Sequence, residues 1–212
     1  MMTPRQISEA TESLCRHAPV IPVLVVDSAH EAAPLAKALV AGGLPVLEVT
    51  LRTPAALDAI TAMARVPGGI VGAGTVLTPE DVAAAKAAGA RFAVSPGATD
   101  RLLAACEAAE LPLLPGAATA SEAMALLERG YSVQKFFPAG AIGGAKALKA
   151  IGAPLPQVRF CPTGGIGPEN APDYLALDNV LCVGGSWVAP KTLVAAGDFD
   201  AITDLARQAA AL

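Results

Sequence analysis

Short apolar runs rich in Val, Ile and Leu recur along this chain, and each is followed by an Ala-rich stretch of helical length. The runs fall at Val20–Val26, Pro45–Thr50, Ile70–Gly74, Arg91–Ser95, Leu111–Pro115, Ser132–Phe137, Val158–Pro162 and Val180–Gly184. Apolar strands alternating with helices predict parallel β-strands joined by crossovers. Eight strand candidates match the number in a closed (β/α)8 barrel. An open doubly wound sheet has the same rhythm, but no nucleotide-type Gly-rich turn follows the first run. We therefore expect an α/β fold, a (β/α)8 TIM barrel. Thr53-Pro54 and Thr78-Pro79 each place a capping hydroxyl before a proline suited to the first helical position. Asp81 adds a negative charge near the second of these helix starts. Gly42-Gly43, Gly89 and Gly130 stand where helices should stop. Residues 4–17, Pro4–His17, read as an extra N-terminal helix capping the barrel bottom, and the chain after Asp198 reads as the last outer helix. Composition does not change sharply along the chain, so residues 1–212 read as a single domain.

The 53% hydrophobic content does not signal a bilayer span, because alanine supplies much of it. Charged residues or proline interrupt every apolar run well short of ~18–20 residues. Arg5, Glu9, Glu12 and Arg16 scatter charge through the N-terminus, where a secretory signal would carry a continuous apolar segment. A cytoplasmic location is expected. A net charge of −4 with no Lys/Arg run argues against nucleic-acid or anionic-membrane partners and leaves a small molecule as the expected partner. Cys15, Cys106, Cys161 and Cys182 are well separated, with no CxxC pair, and read as small buried hydrophobes. His17 and His30 read as lying toward the barrel bottom or the outer helices. A metal-dependent mechanism then lacks its usual imidazoles, and neither a metal nor a cofactor is expected.

Against this background one lysine is out of place. Lys135 lies inside the apolar run Ser132–Phe137, whereas Lys37, Lys86, Lys146, Lys149 and Lys191 lie in Ala-rich helical stretches or a late loop. Burial of an ammonium favours the neutral amine, which is a nucleophile toward carbonyls and the starting point of Schiff-base chemistry. The plain alternative is a side chain that runs along the strand and puts its head in water.

Barrel active sites form at the C-terminal ends of the strands. The second run ends Leu47-Glu48-Val49-Thr50-Leu51-Arg52, and strand alternation puts Glu48, Thr50 and Arg52 on one face. Glu48 reads either as a neutralising partner for Arg52 or Lys135 or as a general acid–base beside an amine. Arg52 reads either as half of a surface ion pair or as a fork for a substrate carboxylate. Gly164-Gly165 and Gly184-Gly185-Ser186 follow the last two strands, where backbone N–H groups of these barrels often hold a phosphate. Glycine permits the close approach and Ser186 adds a donor. Trp187 reads as a packing plug beneath that loop, and Phe136 and Phe137 read as helix packing and an apolar wall for Lys135.

The segments LEVTLRT (Leu47–Thr53), VGAGTVL (Val71–Leu77), Ser95-Pro96-Gly97, Leu114-Pro115-Gly116, KFFP (Lys135–Pro138), VRFCPTGGI (Val158–Ile166) and LCVGGSW (Leu181–Trp187) run in order over nearly the whole chain. Together they resemble the bacterial 2-keto-3-deoxy-6-phosphogluconate (KDPG) aldolases, also called 2-keto-4-hydroxyglutarate (KHG) aldolases. The resemblance implies a (β/α)8 barrel, a homotrimer and a place in the Entner–Doudoroff route. It implies that Lys135 forms the Schiff base and that Glu48 is the general acid/base. It also implies that Arg52, Thr75, Pro96, Phe137 and Thr163 contact the pyruvate-derived part, and that Gly164, Gly165, Gly184 and Ser186 form the phosphate site. Gly140 stands where several relatives are expected to carry glutamate, a departure that touches loop structure only. A phosphosugar isomerase, epimerase or decarboxylase with Lys135 as a charge stabiliser, or a silent phospho-acid-binding barrel, would keep the same fold.

Overall fold

The computed structural model describes all residues, Met1–Leu212. The strands are β1 (Val20–Leu24), β2 (Val46–Thr50), β3 (Ile70–Gly74), β4 (Ala93–Val94), β5 (Leu113–Leu114), β6 (Gly116–Ala117), β7 (Val133–Phe136), β8 (Arg159–Pro162) and β9 (Val183–Gly185). The helices are α1 (Pro4–Cys15), α2 (Ala29–Ala41), α3 (Ala56–Met63), α4 (Pro79–Ala87), α5 (Asp100–Ala109), α6 (Ala120–Arg129), α7 (Gly144–Gly152), α8 (Ala171–Leu175), α9 (Lys191–Ala196) and α10 (Phe199–Ala210). Every pairing is parallel, in the order β5-β4-β3-β2-β1-β9 and β6-β7-β8. Bridges Phe160↔Val180 and Thr163↔Gly184 join β8 to the β9 segment and close the ring. The fifth predicted strand appears as β5 and β6 because Pro115, between them, has no N–H for the ladder. Its carbonyl still accepts from Lys135 N–H at 2.8 Å. The architecture is the expected barrel with an extra N-terminal helix.

Alternation along the strands sorts the apolar side chains into two layers. The larger core, including Leu47, Val49, Phe136 and Phe160, lies between strands and helices. Phe136 and Phe160 meet edge to face with ring centroids 6.2 Å apart, so Phe136 packs toward the helices as expected. The smaller layer fills the barrel axis with Ile21, Val46, Phe92, Val94, Leu114, Val133, Cys15, Cys161 and Cys182. Each fully buried Leu or Phe in these layers contributes roughly 1.5–3 kcal/mol.

Helix α1 packs against β5 and β7. Thr3 and Gln6 form a capping box at its start, with Pro4 in the first turn. The Ser8 hydroxyl donates to the Gly130 carbonyl and accepts from the Ser132 N–H, fixing α1 to the chain entering β7. Cys15, the last residue of α1, enters the axial layer. The N-terminal ends of the strands are therefore covered.

Thr78 and Asp81 form the expected capping box of α4. Thr53 does not cap α3, which starts at Ala56 without a side-chain cap. Its hydroxyl instead donates to the Val26 carbonyl and ties the β2–α3 loop to the end of β1. Gly42 and Gly130 do terminate α2 and α6. Gly89 follows the cap of α4. His30 also departs from expectation in part: it is on an outer helix, but near the start of α2 and therefore at the mouth end. The crossover helix after a strand begins where that strand ends, which reverses the direction assumed for this residue. No helix is long and apolar enough to cross a membrane.

Candidate active site

Strands β2 and β7 carry the only buried acid and the only buried lysine of the chain, both facing the barrel axis above the apolar layer. Lys135 Nζ donates to Glu48 Oε1 at 3.4 Å, and the side chains are 7% and 4% exposed. The neighbour that the lysine lacked in the linear sequence is thus supplied by a strand 87 residues away. Burial holds the Glu48 carboxyl above the ordinary carboxylate range, while the charges of Lys135 and Arg52 oppose that rise. A carboxyl whose hold on its proton is strengthened in this way, with an amine in reach, has the character that general acid–base work uses.

The ring of Phe137 lies 5.1 Å from Lys135 Nζ and also lines a cleft of about 180 Å³. The same cleft is lined by Arg52, Thr163, Gly164, Gly165, Gly184 and Ser186, so seven residues singled out from sequence meet around one opening. Arg52 is exposed there and makes no side-chain hydrogen bond or ion pair, which removes the surface-pair reading. The Ser186 side chain is likewise exposed and uncommitted. These are free donors for an anion.

The Gly-Gly segments are needed for different reasons. Gly164 and Gly165 have φ of 98° and 72°, a left-handed region costly to other residues. The Gly140 N–H donates to the Gly164 carbonyl at 2.8 Å, so the departure at position 140 lies directly against this loop. Gly184 has ordinary backbone angles, but a Cβ there would collide with the Thr163 side chain. Gly185 similarly leaves room for the ring of Trp187, which packs beneath the loop as expected.

Thr75 and Pro96 belong to the same mouth but do not line this cleft. Thr75 follows β3 with φ of 58°, an uncommon value for a β-branched residue. Flanking hydrogen bonds, Leu51 N–H to Gly74 and Val76 N–H to Val94, hold it in place at 2.8 and 3.1 Å. The Pro96 carbonyl lies over Gly116, whose register partner is Lys135.

Three features lay beyond the sequence reading. Val23 and Val25 line the cleft, yet as apolar strand residues they carry no chemical signal apart from their period-two spacing. Ile166 also lines it, one position past the Gly-Gly pair. The third is a thiol cluster: Cys161 and Cys182 sulfurs are 3.5 Å apart, with Cys15 in the same layer. Hydrogen bonds from Cys15 and Cys182, with Lys135 behind them, pull the Cys161 thiol downward, whereas hydrogen bonding to Cys161, together with burial, raises Cys15, and hydrogen bonding to Cys15 and Cys161, with burial, raises Cys182. Only barrel closure brings these cysteines together. No group of three or more His, Cys, Asp or Glu is placed to hold a metal ion.

Comparison with known proteins gives one consistent family. The family model "KDPG and KHG aldolase" matches residues 11–205. The "KHG/KDPG aldolase" of Escherichia coli strain K12 is 57% identical over 201 residues, covering 94% of each chain. The crystal structure of the 2-keto-3-deoxy-6-phosphogluconate aldolase of Zymomonas mobilis ZM4 with 3-phosphoglycerate superimposes with a TM-score of 0.91 at 52% identity, covering 96% of each chain. The KDPG aldolase of Legionella pneumophila, with pyruvate captured at low pH as a covalent carbinolamine intermediate, gives a TM-score of 0.91 at 49% identity, covering 94% of this chain and 97% of that one. With a matching barrel, a buried lysine–carboxylate pair and coverage of nearly its whole length, this chain belongs to the KDPG and KHG aldolase family.

Proposed function

We propose that this protein is a class I aldolase that cleaves 2-keto-3-deoxy-6-phosphogluconate to pyruvate and glyceraldehyde 3-phosphate, and 4-hydroxy-2-oxoglutarate to pyruvate and glyoxylate. The observation that carries this reading is the buried Lys135–Glu48 pair beside a cleft rimmed by the uncommitted Arg52. Lys135 Nζ, once its proton has passed to Glu48, adds to the C2 ketone, and loss of water with proton return from Glu48 gives a protonated imine. Glu48 then takes the C4 hydroxyl proton, directly or through one water. The C3–C4 electron pair flows into the imine, releasing the aldehyde and leaving an enamine. Protonation at C3 by Glu48 and hydrolysis of the imine return pyruvate and the free amine. Arg52 holds the keto-acid carboxylate, with Thr75, Pro96, Phe137 and Thr163 around the pyruvate-derived part. Gly164, Gly165, Gly184 and Ser186 hold the phosphate. No residue in this scheme calls for a metal or cofactor.

The test is intact-mass spectrometry and peptide mapping after incubation with pyruvate and borohydride. A reduced pyruvyl adduct on Lys135 supports the scheme; a folded protein without one points to an isomerase-type use of the lysine. The chain is further read as one domain spanning residues 1–212, with a cytoplasmic location. Family resemblance supports a homotrimer, and a sedimentation mass equal to one chain would overturn that assembly.

A further inference from the structure

We infer that Gly74 is a positioning residue for Glu48: its missing side chain is the space in which the carboxyl facing Lys135 is held. This inference rests on the acid–base role proposed for Glu48. In the β2–β3 register Glu48 pairs with Gly72 and Thr50 with Gly74. Strand side chains lean along the strand direction, so the Glu48 carboxyl extends over the α-carbon two places further along β3. A Cβ on Gly74 would stand 2.6 Å from Glu48 Cγ and 2.8 Å from Cδ, and it would overlap Oε1 more severely still. Ordinary carbon contacts begin near ~3.5 Å, so the carboxyl would have to move. The overlapped atom, Oε1, is the one that accepts from Lys135 Nζ.

Backbone geometry does not explain the glycine. Gly74 is absent from the residues with positive φ and sits in a regular parallel pairing, a conformation open to any L-residue. In such a strand, glycine weakens the local structure relative to a residue with a side chain. Its one evident contribution is room. The carboxyl cannot recover that room below, because Val46 and Phe92 fill the axis, and Gly72 is itself overlain by the Phe92 ring. A methyl at position 74 therefore drives Glu48 toward Lys135 or toward the mouth. Either move lowers the carboxyl's affinity for its proton, by stronger pairing or by hydration.

The test is a mutant cycle of Gly74→Ala and Glu48→Gln, with kcat and KM for the phosphorylated 2-keto acid measured across pH. Gly74→Ala should lower kcat by about tenfold or more, up to the ~10²–10⁴ that positioned proton transfer is worth in full. KM should change little, and the acid limb of the profile should move to lower pH. With Glu48→Gln already present, adding Gly74→Ala should cost much less. An equal fold-loss in both backgrounds, or unaltered kcat with an unmoved acid limb, overturns the inference. Thermal unfolding of Gly74→Ala, Glu48→Ala and the two combined supplies an arm that needs no turnover and still reports if the aldolase reading fails. Glu48→Ala carries its own cost, since it leaves Lys135 unpaired, so increments are compared: Gly74→Ala should lower the unfolding temperature much less in the Glu48→Ala background than in the unaltered protein, and equal increments in both backgrounds overturn the contact.

Discussion

Lys135 and Glu48 meet at 3.4 Å across the barrel axis from strands that are not neighbours, since β2 pairs with β1 and β3 while β7 pairs with β6 and β8. The pair exists only when the ring is closed. Because burial raises the Glu48 carboxyl, its deprotonated form is lost as pH falls through a value above the ordinary ~4.3 of glutamate. Activity that needs Glu48 as a base should fall along an acid limb at that raised value. Glu48→Gln should erase the limb and lower kcat by ~10²–10⁴, as read from pH–rate profiles of the two proteins.

The same pair makes a stability prediction of the opposite sense. Removing one member of a buried ion pair leaves an unpaired charge and typically costs ~3–5 kcal/mol, whereas replacing both by apolar groups is often neutral or stabilising. Glu48→Leu should therefore lower the urea midpoint strongly, and Glu48→Leu with Lys135→Met should recover most of it. The recovered protein should bind no pyruvate covalently. A double variant less stable than Glu48→Leu would contradict this account.

Arg52 and Ser186 stand on the same cleft but serve different substrate ends in the proposed scheme. Arg52→Ala should weaken kcat/KM on phosphorylated and non-phosphorylated 2-keto acids alike, by about 1.5–3 kcal/mol for a lost charge-assisted hydrogen bond. Ser186→Ala should act mainly on the phosphorylated substrate. Parallel losses on both substrates in both variants would remove the division of labour.

Away from the site, the Tyr131 hydroxyl donates to Glu107 Oε1 at 3.0 Å, and Arg129 pairs with the same carboxylate oxygen. Burial and the Glu107 charge raise the Tyr131 phenol above its ordinary value near 10. A raised folded-state value means that this contribution to stability is full below pH ~10 and is lost as pH rises beyond it. Tyr131→Phe should cost about 1.5–3 kcal/mol at neutral pH for a hydrogen bond to a charged group. Urea titrations should show the difference between the two proteins shrinking above pH ~10.

Much of the site was legible because charge in an apolar strand is chemically conspicuous. Lys135, Glu48 and the paired glycines stand out at strand ends, and strand alternation places Glu48 and Arg52 on one face. Other features depend on relations that local sequence does not contain. The meeting of Cys15, Cys161 and Cys182 requires a helix end and two strand segments to converge on one axis. The Thr53 hydroxyl had two local uses, and the tertiary one with Val26 prevailed over helix capping. Pro115 looked like a strand end and is instead a break within one barrel position. Gly74 carries no turn signal, since what it supplies is an absence measured against a side chain on another strand.

Closure of the barrel bottom by α1 and the axial apolar layer leaves the mouth as the common doorway for everything that reaches Lys135. In the proposed reaction, the water that hydrolyses the imine must use the passage through which the sugar acid entered. In that scheme the aldehyde fragment lies on the mouth side of the imine, and its departure clears the way for the water that frees pyruvate. Traffic through one doorway thus goes with an order, aldehyde out first and keto acid last.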